Sequence, residues 1–94
     1  MAAYWIAHVE VHDAETYGKY AAIATEAIEA HGGRFLARSG RYVQLEGTER
    51  ARNVVAEFPT LEDAVACYNS PRYQEAVVFA KQSATRDLCV VESV

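Results

Sequence analysis

The chain has 94 residues, 51% of them hydrophobic and 23% charged, with a formal net charge of −4. That length holds one core, here a single domain over residues 1–94, and the acidic balance argues against a nucleic-acid partner and does not draw the chain to anionic lipid. No stretch reaches the length of a membrane span and no basic-then-apolar leader opens the chain, so a cytoplasmic protein is expected.

Residues 4–11 read as the first strand. Trp5, Ala7, Val9 and Val11 share one wholly apolar face, while Tyr4, Ile6, His8 and Glu10 share a mixed one. Asp13 is placed as an N-cap, with Glu15 near the positive end of the helix that follows. Tyr17, Tyr20, Ala21, Ala24, Ala27, Ile28 and His31 recur at helical spacing, and the small alanines let this helix lie close on a sheet. Gly32-Gly33 ends it, because glycine enters the left-handed conformation cheaply. His31 falls in the last turn, where histidine favours the negative helix end.

A second strand is expected from Arg34 to Glu46, bent near Ser39-Gly40-Arg41. Gly47-Thr48-Glu49-Arg50 reads as a hairpin connection and Ala51 to Phe58 as the third strand, with Val54, Ala56 and Phe58 opposite Asn53, Val55 and Glu57. Pro59 stops that strand. Thr60 caps a helix with Asp63 at its third position, and its expected buried stripe is Leu61, Ala64, Val65 and Tyr68. Ser70 and Pro71 start another helix, lined by Tyr73, Val77, Ala80 and Ala84. Asp87 to Val94 is the final strand. Cys67 and Cys89 lie in different elements without C-x-x-C spacing and are expected as free, buried thiols. Too few ligands stand in register for a metal site.

This βαββαβ order predicts an α+β, ferredoxin-like fold with a four-stranded antiparallel sheet and helices on one face. The first and third strands are expected side by side at the centre and parallel. The opposite face then carries Tyr4, Ile6, His8, Glu10, Arg38, Tyr42, Gln44, Asn53, Val55 and Glu57. It is too apolar to be simply solvated, and its expected partner is a second copy, sheet against sheet. A hairpin pairing Glu46 near Ala51 brings Arg38 level with Glu57, so Arg38, Glu57 and His8 fall on adjacent strands of this face. A bulge at Gly40 would flip every residue before it.

A carboxylate between a guanidinium and an imidazole holds the imidazole charged or fixes its tautomer. Such a groove can bind a small anion or exchange a proton. A structural role competes for each residue. Arg38 can pair with Glu57 or sit as a rim charge, and His8 can be a hydrogen-bonded interface histidine. Tyr17, Tyr20, Tyr68 and Tyr73 lie on core-facing stripes, where converging hydroxyls would give a pocket polar handles.

Five runs are distinctive in this order: Tyr4-Trp5-Ile6-Ala7-His8-Val9, His31-Gly32-Gly33-Arg34-Phe35-Leu36-Ala37-Arg38, Leu45-Glu46-Gly47, Glu57-Phe58-Pro59 and Tyr68-Asn69-Ser70-Pro71-Arg72-Tyr73. Together they make nearly the whole chain resemble the domain-of-unknown-function family thirteen-thirty. The resemblance implies the dimeric α/β-barrel superfamily, where two ferredoxin-like sheets pack into one barrel. That superfamily includes cofactor-independent monooxygenases, muconolactone isomerases and haem-binding chlorite dismutase relatives. The family pattern often reads Gly-Gly where this chain has Ser39-Gly40, and commonly has Arg where this chain has Lys81.

The resulting expectation is a homodimer that binds a small organic or anionic molecule, with Arg38, Glu57, Tyr68 and Tyr73 as ligand contacts and no cofactor or metal. As an enzyme it would perform proton transfer or oxygenation of an enolisable substrate, His8 acting as base and Arg38 stabilising the oxyanion. The competing reading is a non-catalytic dimeric module whose polar face sets only the dimer register.

Overall fold

Strict alternation of buried and open side chains organises the computed structural model, which describes residues 1–94. The elements are β1 (Ala3–Val11), α1 (Ala14–Ala30), β2 (Arg34–Arg38), β3 (Arg52–Phe58), α2 (Leu61–Asn69), α3 (Pro71–Ser83) and β4 (Ala84–Glu92). The strands lie in the order β2-β3-β1-β4, and every neighbouring pair is antiparallel. This is the expected α+β, ferredoxin-like fold. The orientation of its central pair is corrected: β1 and β3 are adjacent but antiparallel. The α1 crossover returns β2 in the direction of β1, and the β2–β3 connection then reverses it once. No helix is long and apolar enough to cross a membrane.

The helix ends follow local chemistry. Asp13 accepts from the Thr16 amide at 3.2 Å, Thr60 from that of Asp63 at 3.0 Å, and Ser70 from that of Tyr73 at 3.2 Å. At the other end of α1, Gly32 (φ 84°) donates to Glu29 O and Gly33 to Ile28 O, which satisfies two carbonyls the helix leaves free. His31 Nδ1–H donates to Ala27 O at 2.8 Å, which serves the same end.

The core lies between the sheet and the helices. Ala3, Trp5, Ala7 and Val9 of β1 and Val54, Ala56 and Phe58 of β3 are buried against Tyr17, Tyr20, Ala24, Ala27 and Ile28 of α1 and Tyr73, Ala76, Val77 and Ala80 of α3. Trp5 is its hub, with the Tyr73 ring edge-on at 5.1 Å and the Phe58 ring at 5.6 Å. Aromatic pairs in these arrangements add about 0.5–1.5 kcal/mol each beyond simple burial. The inner stripe of α2 is narrower than expected: Ala64 and Cys67 are buried, whereas Val65 and Tyr68 are exposed. Of the cysteines, only Cys67 is buried, and burial pushes its thiol up to about 11; Cys89 is exposed on β4.

Two features cut β2 short of the expected Glu46. Phe35 pairs with Ala56 and Ala37 with Val55, so Leu36 is an extra residue and the strand is bulged there. Arg38 consequently pairs with Val54, whose side chain faces the helices. Next, Ser39 adopts φ 57° and donates to Asn53 O at 3.0 Å as the chain leaves the sheet. That left-handed backbone costs a side-chain-bearing residue roughly 1–2 kcal/mol, whereas glycine adopts it freely. Residues 39–51 form no strand, so Tyr42 and Gln44 belong to neither sheet face. At the far edge, β4 starts at Ala84, directly after α3 and earlier than the expected Asp87.

The close approach of α1 to the sheet gives a paired stability test. A Cβ on Gly33 would lie 2.6 Å from Ile28 Cγ2 and 2.9 Å from Phe58 Cε2, whereas one on Gly18, inside α1, meets nothing within 4 Å. Gly33→Ala is expected to lose about 1–3 kcal/mol through overpacking. Gly18→Ala should gain roughly 0.5–1 kcal/mol through helix propensity. Urea unfolding measures both, and equal effects would contradict this packing.

Candidate functional site

Register places three arginines on the helix-facing side of the sheet. Val9 of β1 pairs with Arg52 on one side and Arg86 on the other, and one row along Ala7 pairs with Val54 and Leu88. Side chains directly opposite share a face, so Arg52 and Arg86 flank Val9 beneath α1. The Leu36 bulge adds Arg38 from β2, opposite Val54. All three line a single cleft between α1 and the sheet, walled by Trp5, Tyr17, Tyr20, Phe35, Val54 and other apolar residues. Its free volume is about 20 Å³, close to the room one water needs. A larger ligand therefore enters by displacing side chains, and Arg38 is the exposed arginine on its rim.

The electrostatics of this cleft are lopsided. Arg34, Arg50 and Arg72 each pair with carboxylates, yet Arg38, Arg52 and Arg86 pair with none. The chain has 13 acidic residues and not one lines the cleft. Each guanidinium instead sits over an aromatic ring: Arg38 over Phe35 at 4.2 Å, Arg86 over Tyr20 at 4.6 Å and Arg52 over Tyr17 at 5.3 Å. Such stacking is worth roughly 0.5–2 kcal/mol, depending on desolvation. It leaves the in-plane N–H donors unserved. Arg52 Nε is buried with no hydrogen-bond partner.

A phenol pair stands beside Arg86. The Tyr20 and Tyr73 hydroxyls are 2.7 Å apart, and Arg86 reaches Tyr73 Oη at 3.4 Å. Arginine can only donate, so Tyr73 accepts from Arg86, while either phenol can be the donor within the pair. In the arrangement where Tyr73 donates, the Tyr20 proton is free for an occupant of the cleft. Burial raises the pKa of both phenols, which keeps them protonated at neutral pH and available as donors.

The residues expected to form one site are divided between two faces. Arg38 points to the helix side, where it donates to Thr25 Oγ1 at 2.6 Å, and not to the open side with Glu57. The physical reason is the bulge, which falls at Leu36 and not at Gly40. Glu57 stays on the open face, where Oε1 accepts from Arg34 Nε and Nη2, each at 3.0 Å. His8 is also there, its Nδ1–H donating to Asn53 Oδ1 at 2.7 Å, while Asn53 Nδ2 donates to Arg50 O. Tyr73 is fully buried behind the cleft. Tyr68 packs against Trp5 and Tyr73 and lines a separate surface hollow with Lys81 and Leu88.

Arg52, Arg86 and Thr25 were not anticipated. Arg52 shares strand parity with Val54 and Phe58, and Arg86 shares it with Leu88 and Val90, so alternation carried the signal. No group of three or more His, Cys, Asp or Glu side chains is placed to hold a metal ion.

The family model for a domain of unknown function (DUF1330) matches residues 2–94. The chain belongs to that family. Among solved structures, this DUF1330 chain is similar to a protein of unknown function from Rhodopseudomonas palustris, at 19% identity and TM-score 0.82 over 99% of this chain and 82% of that one. It is similar to SnoaB, a cofactor-independent oxygenase from Streptomyces nogalater, at 7% identity and TM-score 0.71 over 99% and 93% of the two chains. A dimeric protein of unknown function and ferredoxin-like fold from Bacteroides fragilis matches at 16% identity and TM-score 0.57, over 98% and 96%. Likeness at these identities is one of fold. No curated protein sequence matches the chain.

Proposed function

We propose that this protein binds a small organic anion in the cleft between α1 and the sheet. Arg52 and Arg86 take the acid group and the Tyr20 hydroxyl donates to it. The observation that carries this reading is the meeting of three unpaired guanidiniums in one aromatic cleft of a chain with net charge −4. Half-buried cations without partners are costly, and an anion satisfies donors that ring stacking leaves empty. Arg52 Nε, buried and unpartnered, supports it further.

The same donors would stabilise negative charge developing on an oxygen, so an enzyme built on this cleft would favour reactions that pass through an oxyanion. Neither a carboxylate nor an imidazole lines the cleft, and His8 lies across the sheet from Arg38. His8 and Arg38 therefore do not meet around one substrate in this arrangement. The proposal covers a binding module and a cofactor-independent enzyme of the SnoaB kind alike; turnover separates them.

We further infer a homodimer through the open sheet face. Ile6 and Val55 pair at its centre, half-exposed, with Cys89 and Ala37 on the flanking strands. Val43 and Leu45 in the 39–51 connection are 79% and 87% exposed, more apolar surface than one copy covers. The similar fold from Bacteroides fragilis is dimeric.

Calorimetric titration with acetate tests the anion reading. Wild type is expected to bind, Arg52→Ala and Arg86→Ala to lose at least about tenfold in affinity, and Arg41→Ala, outside the cleft, to match wild type. Equal affinity in all four would overturn it. For the dimer, sedimentation velocity should give two copies for wild type and a monomer for Ile6→Asp; a monomeric wild type is the contrary result.

A further inference from the structure

We propose that the cleft takes an organic dianion end to end, one acid group at Arg52 and Arg86 and the second at Arg38. This rests on the anion-binding reading above and adds the ligand's charge and length. The two poles are fixed by different elements. Arg52 and Arg86 lean on Tyr17 and Tyr20, adjacent rings 4.9 Å apart near the start of α1. Arg38 leans the other way, over Phe35 and onto Thr25, farther along the same helix.

Helical rise puts Thr25 about 7–8 Å beyond Tyr20. Across the sheet, Arg38 lies diagonal to Arg52, a separation of roughly 7–8 Å between backbones. Held over Phe35 on one side and over Tyr17 and Tyr20 on the other, the guanidiniums have separate seats, one for each acid group of a dianion. Each pole also keeps free donors. Thr25 Oγ1 donates to Ala21 O and accepts from Arg38 Nη2, so one bond and one ring hold Arg38 at the rim while its other N–H groups stay unpaired.

The bulge gives the second pole its physical cause. Without the extra residue at Leu36, Arg38 would project from the open face opposite Asn53 and the cleft would have one pole. Bulges concentrate near functional sites because they re-aim single side chains. Here the re-aimed side chain is the one exposed arginine on the rim, where release of Thr25 would widen a narrow slot.

The test is calorimetric titration of the full chain with acetate, malonate, succinate, glutarate, adipate and inorganic phosphate. For wild type, affinity should rise with diacid length and reach at least ten times that of acetate. Arg38→Ala, an exposed position that leaves the core intact, should weaken the longer diacids far more than acetate. Three results overturn the two-pole proposal while sparing the anion reading: no dependence on length, an equal loss for acetate and diacids in Arg38→Ala, or phosphate binding as tightly as the best diacid. If wild type binds none of these ions, the anion reading fails and this inference fails with it.

Discussion

Because strand side chains alternate with period two, one extra residue reassigns everything beyond it to the other face. In this chain that residue is Leu36, and what it reassigns is Arg38. A guanidinium that would have joined Asn53 and His8 on the open face is brought under α1, into the same space as Arg52 and Arg86. The left-handed Ser39 follows at once and takes the chain out of the sheet, so the turned residue is also the last of its strand. Arg38 therefore ends on the rim of the cleft and not within its floor.

The arrangement is a compromise between stability and a polar site. Three arginines share one side of the core without a carboxylate, although acidic residues outnumber basic ones 13 to 9 along the chain. Phe35, Tyr17 and Tyr20 offset part of that cost through their ring faces, and the phenol pair behind them provides a directed donor. A cleft optimised for the fold alone would hold leucines at these positions. What the present one offers is positive potential in a half-buried, aromatic slot, where electrostatic interactions are stronger than in water.

Much of the fold was legible because its signals are local. Asp13, Thr60 and Ser70 cap where the sequence placed them, and Gly32-Gly33 closes α1 as expected. Alternation along β1 and β3 separated inner from outer residues correctly, since each strand mixes apolar and polar side chains with a clean period. The site was less legible because its decisive feature has no local mark. Phe35-Leu36-Ala37 is apolar throughout, so no change of phase announces the extra residue, and the nearby Gly40 drew the expectation of a bulge to itself. Tyr42-Val43-Gln44-Leu45 alternates as a strand would, but it has no strand to pair with inside one copy. Arg86 was hidden by polar neighbours, Thr85 and Asp87, and its facing emerges only from pairing with Val9.

The site depends on the facing of Arg38, and a nuclear Overhauser spectrum of the labelled protein measures it most directly. Cross-peaks are predicted from the Arg38 side-chain protons to the Thr25 methyl group and the Phe35 ring. Cross-peaks from Arg38 to the side chains of Asn53 and Val55 instead would place it on the open face and contradict this facing.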